Sequence, residues 1–217
     1  MKLSELKIYR FVLSDFEENA YAVRRGDSPE CVVVDPGIDS AEMIGELKSN
    51  GLVPKAILIT HGHYDHIGGI PDFKKIWPDC PVLIGEKDQT KLTDPMGNLS
   101  GMFGFPLTVP AADRILADGE SFEIAGIPFK AIWIPGHSCG HLVFAVDLDG
   151  PDKVIFAGDV IFQGSIGRTD FPDGNSEDLL QGIRDKIFSF SDKTVLYPGH
   201  GPKTDVGTEK STNPWLS

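Results

Sequence analysis

The sequence predicts a single α/β domain in which short apolar strands alternate with helices. Runs of β-branched and aromatic residues recur along the chain, bounded by Gly, Pro, Asp and Asn. Several intervening stretches carry apolar residues at helical spacing behind a capping residue. The 217 residues are 41% hydrophobic and 24% charged, which suits one ordinary globular core, and no stretch has the composition of a linker. We therefore expect one domain over residues 1–217.

The first strands are predicted to form an antiparallel meander. Three segments joined by the turn-prone sequences SDFEEN and GDSPE have strand character: residues 7–13, 20–25 and 31–34. The third segment leads into Asp35 and a Pro-Gly turn. Two interpretations of this carboxylate stay open, because it can cap the turn or orient a metal-bound histidine. A helix is predicted next, from a cap at Asp39 or Ser40 to Ser49.

Seven more strands and three helical segments are predicted along the rest of the chain. The strands cover residues 56–59, 81–84, 122–124, 127–134, 142–146, 153–157 and 194–197. The helical segments are the later part of 67–76, residues 86–92, and a helix capped by Ser176 that runs to Ser189. The segment 93–110 is rich in Gly, Pro and aromatic residues, and such a loop could border a substrate pocket. We expect its apolar members to be buried anchors of the loop: Met96, Met102, Phe103 and Phe105.

Four predicted strands end in side chains that bind metals. The strand 56–59 leads into HGHYDH, and later strands lead into PGH, GD and PGHG. These motifs supply the candidate metal ligands: His61, His63, Asp65, His66, His137, Asp159 and His200. Five of the six histidines lie at these points, which core packing alone would not readily produce. The sixth histidine, His141, is expected either to stabilise the fold or to hydrogen-bond to a metal ligand without binding the metal itself.

The ligands of the HGHYDH segment suit two metal positions better than one. Three imidazoles and a carboxylate within six residues cannot all point the same way. A structural zinc clip is the main alternative. Such clips prefer Cys-rich pairs and closed four-coordination, and the chain has no CxxC pair. The pattern therefore indicates a metal site at which chemistry takes place.

The composition argues against several classes of partner. The formal net charge of −12 disfavours a nucleic-acid surface, so we expect a small-molecule substrate and no nucleic acid. The N-terminal segment lacks the apolar core of a signal peptide, and no apolar run approaches the ~18 residues of a membrane span. We therefore expect a cytoplasmic protein with no membrane partner. The three cysteines, an odd number in dissimilar contexts, are expected to be reduced thiols.

Taken together, HGHYDH, PGH, GD and PGHG in this order resemble the metallo-β-lactamase superfamily. The resemblance implies an αββα sandwich, in which two facing sheets flanked by helices hold a two-metal site at one edge. It also implies a division of the ligands. One metal would take His61, His63 and His137, the second would take Asp65, His66 and His200, and Asp159 would bridge them.

The segment GDVIFQGSIGRTDFPDG and the C-terminal stretch look like those of the short glyoxalase II-like, or hydroxyacylglutathione hydrolase-like, bacterial enzymes. By that resemblance Arg168 is a substrate-binding residue, since a basic residue of the family contacts glutathione at this position. Asp170 stands where the family has tyrosine, so the alternative for Arg168 is a salt bridge to Asp170.

The resemblance implies a metal-dependent hydrolase that uses a metal-bridging hydroxide, acting on a thioester of the hydroxyacylglutathione type. Its cofactors would be two divalent metal ions, with zinc favoured over iron or manganese. Asp65 and Asp159 are the candidate catalytic carboxylates. The rival function is a persulfide dioxygenase of the same superfamily, with one iron held by His61, His137 and Asp159. A β-lactamase is disfavoured, because β-lactam-hydrolysing members lack the bridging aspartate that Asp159 supplies.

Overall fold

The computed structural model of the protein describes residues 1–216, and it contains two six-stranded sheets. The first sheet has strand order β1-β2-β3-β4-β5-β6. Its strands are β1 (Leu6–Leu13), β2 (Glu18–Arg25), β3 (Glu30–Val34), β4 (Val53–Leu58), β5 (Val82–Gly85) and β6 (Arg114–Leu116). The first three strands pair antiparallel, which confirms the predicted meander, and β3 to β6 pair parallel. The short edge strand β6 was not predicted.

The second sheet and a small ribbon follow in the chain. Their strands are β7 (Ser121–Ile124), β8 (Ile127–Trp133), β9 (Leu142–Val146), β10 (Val154–Gly158), β11 (Ile161–Phe162), β12 (Ser165–Ile166), β13 (Val195–Pro198) and β14 (Thr204–Asp205). The sheet has the order β14-β13-β10-β9-β8-β7, and β11 and β12 form the separate two-stranded ribbon. The ribbon and β14 have two-residue strands, too short to leave a periodic signal in the sequence.

The described part of the chain has five α-helices among its strands: α1 (Ala41–Ser49), α2 (Tyr64–Ile67), α3 (Ile70–Ile76), α4 (Ser176–Gly182) and α5 (Val206–Thr212). The predicted cap of α4 was wrong by one residue. Asn175 has extended backbone and accepts hydrogen bonds from the amides of Glu177 and Asp178, whereas Ser176 is already helical. A π-helical turn over Ile183–Ile187 continues α4. Short 3-10 helices cover Leu3–Glu5, Glu86–Leu92 and Ser100–Phe103.

The side chains of the central strands divide between two cores. In β3, Val32 and Val34 face the layer between the sheets, where Phe144 and Phe156 come from the second sheet. Val33 points the other way, onto the layer of α1 and α3. Strand side chains alternate between faces, so one strand serves both layers. A third core packs α4 and α5 against the outer face of the second sheet. These layers confirm the predicted αββα sandwich.

The topology brings the predicted ligands to one edge of the sandwich. Strand β4 of the first sheet ends just before the HGHYDH loop. In the second sheet, His137 follows β8, Asp159 follows β10 and His200 follows β13, and β10 pairs directly with β13. No helix within residues 1–216 has both the length and the apolar character needed to cross a bilayer.

Candidate metal centre

Asp35 and Thr60 fix the loop that carries the first ligands. Asp35 lies beyond β3, and its carboxylate accepts hydrogen bonds from the amide of Thr60 at 2.8 Å and from its hydroxyl at 2.6 Å. The Oδ2 atom also lies 3.2 Å from Nδ1 of His66. Of the two interpretations of Asp35, the structure therefore supports orientation of a histidine.

Three buried imidazoles converge at the first position. The Nε2 atom of His137 lies 3.3 Å from Nε2 of His61 and 3.0 Å from Nδ1 of His63. All three side chains are at most 3% exposed. The ring of Phe171 packs edge-on against His63, with centroids 5.2 Å apart, and closes this side of the group.

A second group lies beside the first, and Asp159 reaches both. Asp65, His66 and His200 place their ligand atoms within 4.8 Å of one another. The Oδ1 atom of Asp159 lies 3.4 Å from Nε2 of His66, while Oδ2 lies 3.5 Å from Nε2 of His137 and 3.6 Å from Nε2 of His200. One carboxylate therefore faces both clusters of ligand atoms.

Hydrogen bonds on the far side of the rings decide which nitrogen faces the centre. Nδ1 of His137 lies 2.8 Å from the carbonyl oxygen of Arg168, and Nδ1 of His200 lies 3.1 Å from that of Phe16. A carbonyl only accepts, so both Nδ1 atoms carry hydrogen, and Nε2 is the atom through which each neutral ring could bind a metal. The Nδ1 of His66 likewise donates to Asp35.

His61 follows the same rule through Thr60. The Thr60 hydroxyl donates to Asp35, so it accepts from Nδ1 of His61, 3.0 Å away. The Nε2 atoms of His61 and His137 lie 3.3 Å apart, and neither can donate to the other, because each neutral ring carries its hydrogen on Nδ1. Facing lone pairs and carboxylates need a cation between them, so these residues fit bound metal ions.

The electrostatics of the two groups differ. Burial lowers the pKa values of His61, His63 and His137, which keeps these rings neutral at pH 7. Burial has the same effect on His66 and His200, but the carboxylates of Asp159 and Asp65 outweigh it and hold their pKa values above the usual range. Two carboxylates, those of Asp65 and Asp159, therefore lie against the histidines of the second position, which is also more open, since the His200 side chain is 28% exposed.

His141 lies outside both groups. Its Nε2 accepts a hydrogen bond of 3.0 Å from the amide of Asp159, and its ring stacks on that of His61 at 4.8 Å. This contact pattern matches the supporting role predicted for it. Close packing around Asp159 and His66 also requires glycine, because a Cβ at Gly199 would lie 2.3 Å from Oδ1 of Asp159 and 2.6 Å from Cε1 of His66.

A buried charge cluster under the ligand loops was missed by the sequence analysis. Asp88 accepts hydrogen bonds from the amides of Gly62 and Gly140, each at 2.8 Å, and from the Ser138 hydroxyl. Lys91 lies 3.2 Å from Asp88 and 2.6 Å from Asp173, and it donates to Ser138. Gly62 lies between two ligands and Ser138 follows a third, so this cluster positions both loops. The sequence predicted only a helical segment at residues 86–92, and no residue spacing there indicated side chains that hydrogen-bond to both ligand loops.

Glu18 was also missed. It is fully buried, its two carboxylate oxygens lack hydrogen-bond partners, and Oε1 lies 3.8 Å from Nδ1 of His66. Burial raises the pKa of this carboxyl well above its usual range. Nothing in the sequence distinguished Glu18 from the neighbouring acidic residues of the turn before β2.

The ligands open into a cavity of about 380 Å³. Its apolar lining comes from Leu99, Phe103, Phe162, Ile166 and Phe171. Arg168 also lines it, but its guanidinium makes two 2.7 Å bonds to the carboxylate of Asp170 and lies over Phe171. The structure therefore contains the salt bridge to Asp170 that was the alternative interpretation of Arg168, while the predicted substrate contact of Arg168 stays a prediction.

Comparisons with known proteins agree with this architecture. The family description "Metallo-beta-lactamase superfamily" matches residues 13–200. The probable metallo-hydrolase YqgX of Bacillus subtilis is 36% identical over 214 residues, or 98% of each chain. The hydroxyacylglutathione hydrolase GloC of Haemophilus influenzae is 35% identical over 202 residues, covering 88% of this chain and 89% of that protein.

Solved structures give the same result. The crystal structure of BLEG-1 B3 metallo-β-lactamase has a TM-score of 0.90 and 37% identity, covering 97% of this chain and 100% of that one. The crystal structure of TTHA1623 in a di-iron-bound form has a TM-score of 0.82 and 33% identity, covering 96% of this chain and 100% of that one. With this fold and these two ligand groups, the chain belongs to the metallo-β-lactamase superfamily of metal-dependent hydrolases.

Proposed function

We propose that the protein is a binuclear metal-dependent hydrolase that cleaves a small-molecule thioester. The position of Asp159 carries the proposal, because its two oxygens face two separate ligand groups. His61, His63 and His137 would hold one ion, and Asp65, His66 and His200 would hold the second. A single iron on His61, His137 and Asp159 would leave the second group without a cation, so the geometry favours two ions over the dioxygenase arrangement.

Two divalent cations at such a centre lower the pKa of bound water to about 7 and polarise a carbonyl. Zinc suits the imidazole-rich first group, and iron is a second candidate because the similar TTHA1623 holds two iron ions. Burial keeps bulk water from the three histidines of the first group, which are at most 3% exposed.

A thioester suits the remaining side chains of the cavity. Apart from the ligands, the proton-bearing side chains among its described lining are Tyr64, Ser165 and Arg168. Burial raises the pKa of Tyr64 above its usual value near 10, so none of the three is a strong acid at pH 7. A thiolate, with a pKa near 8.5, leaves without protonation, whereas an amine does not. The similarity to GloC, named a hydroxyacylglutathione hydrolase, supports this substrate class.

Arg168 is the candidate clamp for an anionic thiol carrier. Its pair with Asp170 is exposed, at 59% and 67% of the two side chains, and such pairs contribute about 0–1 kcal/mol. A substrate carboxylate would therefore displace Asp170 at small cost and keep the bidentate geometry of the guanidinium.

The test combines metal analysis with turnover. Protein purified anaerobically should contain two ions per chain, and the loaded enzyme should hydrolyse a glutathione thioester without oxygen uptake. One iron per chain with oxygen consumption on a persulfide would instead support the dioxygenase. Hydrolysis of a β-lactam and of no thioester would assign the chain the activity named for BLEG-1.

The division of ligands predicts selective metal loss. Asp65→Ala should lower the metal content from two ions per chain toward one by emptying the second position, because Asp65 lies 3.4 Å from His200 and belongs to the second group alone. Elemental analysis at matched metal concentrations measures this. Asp170→Ala, which removes a nearby carboxylate outside both groups, should keep two ions. Equal loss of both ions in Asp65→Ala would contradict the division.

A further inference from the structure

The segment 93–110 exposes a group of large apolar side chains, contrary to the buried anchors expected from the sequence. Met96 is 61% exposed, Met102 and Phe103 are each 55% exposed, and Phe105 is 41% exposed. With Phe16, which is 41% exposed, they form a surface that we call the apolar rim. Single exposed apolar residues are ordinary, but here three of the five rest on one tyrosine, because Phe16, Phe103 and Phe105 all contact Tyr64.

The apolar rim is continuous with the cavity. Tyr64 follows His63 directly, lines the cavity, and contacts Phe16, Phe103 and Phe105 at ring distances of 5.2, 5.5 and 5.1 Å. Phe103 belongs to both the rim and the cavity lining. An apolar surface thus runs without a break from the ligand groups to solvent.

The rim is held in place by buried hydrogen bonds. The side-chain Nδ2 of Asn98 donates to the carbonyl oxygens of Lys91 and Leu107 at 3.0 Å each, and its Oδ1 accepts from the backbone amide and hydroxyl of Ser100. The carbonyl oxygen of Asn98 also accepts from the amide of Tyr64. These bonds fix the backbone of the segment, so its apolar side chains stay exposed instead of folding inward. The segment is therefore preorganised to bind an apolar ligand.

Leu99 adds backbone strain at the same place. Its φ of 72° lies in the left-handed region, which is unfavourable for a residue with a branched side chain. In this conformation Leu99 lines the cavity while remaining 2% exposed. The hydrogen bonds of Asn98 hold this geometry, and its result is an apolar wall beside the ligands.

We infer that the apolar rim binds the acyl chain of the substrate, so that the preferred thioesters carry an extended apolar acyl group. This inference rests on the proposed thioesterase function and names its substrate class. With the thioester carbonyl at the ligand groups, the acyl chain runs along Tyr64, Leu99 and Phe103 toward Met102. Methionine and aromatic side chains suit chains of varied length because they adapt their packing.

The test uses neutral N-acetylcysteamine thioesters with acyl groups from acetyl to octanoyl, so that charge at Arg168 plays no part. For the metal-loaded wild type, kcat/KM should rise about two- to fourfold for each added methylene until the rim is filled. The variant M102S/F103S should lose this rise, read as the ratio of octanoyl to acetyl kcat/KM. Leu3→Ser, which changes a side chain that is 53% exposed and outside the cavity lining, should keep the wild-type ratio.

A second measurement separates the inference from the proposed function. Octanamide should bind the wild type in calorimetry, and M102S/F103S should bind it about tenfold more weakly. Absence of turnover for every thioester, acetyl included, would refute the proposed thioesterase function. The role of the rim would then be decided by whether octanamide binds the wild type more tightly than it binds M102S/F103S. A flat acyl series with equal octanamide binding in both proteins would overturn the inference. A wild-type dimer that M102S/F103S converts to monomer, together with a flat series, would assign the rim to a second copy of the chain.

Discussion

Asp159→Ala is expected to abolish turnover in a chain that still folds. Among residues 1–216, Asp159 is the one carboxylate whose oxygens face both groups, at 3.4 Å from His66 and 3.5 Å from His137. Loss of an outer partner of a metal ligand already costs about 10- to 100-fold, so loss of a shared ligand should lower kcat/KM by more than about a hundredfold. Strand β10, which ends just before Asp159, is held by fully buried apolar side chains, so far-UV circular dichroism should be unchanged.

The matched control is Asp147→Ala, which removes a surface carboxylate from an ion pair with Lys153. Its kcat/KM and metal content should equal those of the wild type. Near-normal activity with two ions per chain in Asp159→Ala would remove this residue from the mechanism.

Lys91→Met is expected to destabilise the protein by about 3–5 kcal/mol, the usual cost of removing one partner from a buried ion pair. The Lys91 side chain is 7% exposed and lies between Asp88 and Asp173. Methionine fills similar space but leaves Asp88, which is fully buried, without its counter-charge. Urea unfolding followed by intrinsic fluorescence measures the loss in unfolding free energy.

Lys75→Met provides the control for this substitution. Lys75 pairs with Asp72 on the surface, with the two side chains 71% and 52% exposed, so its loss should cost less than about 1 kcal/mol. If Lys91→Met lowers the unfolding free energy no more than Lys75→Met does, the buried cluster is not a stabilising element of the ligand loops.

The strands, and the convergence of the candidate ligands at the strand ends, could be predicted because both depend on local pattern. A buried strand such as β10 is a continuous apolar run, and Gly-Asp at its end marks both the boundary and the ligand. The spacing of His61, His63, Asp65 and His66 then carries enough information to indicate two positions.

The missed features depend on contacts between distant segments. Asp88 hydrogen-bonds to both ligand loops only because the fold brings Gly140 close to Gly62. Lys91 is buried with a counter-charge because Asp173 lies against it. Exposure of Met102 and Phe103 is equally invisible in sequence, since apolar residues in a Gly-rich loop fit buried anchors as well. The N-cap of α4 was misplaced by one residue because Asn175 and Ser176 can each cap a helix. Which of them does so depends on the backbone conformation, which the sequence does not specify.

The ligands come from both sheets, and this has a consequence for the lifetime of the protein. The HGHYDH loop follows the first sheet, whereas His137, Asp159 and His200 follow strands of the second. Bound ions would therefore link the two sheets at the edge where the ligands lie. Each ion present at a hundredfold excess over its dissociation constant would add about 2.7 kcal/mol to the free energy of unfolding. Separation of the sheets would first require release of metal. In a cell starved of the metal, the protein should therefore be degraded as well as inactive, because without bound ions the two sheets separate more often and expose the chain to proteases.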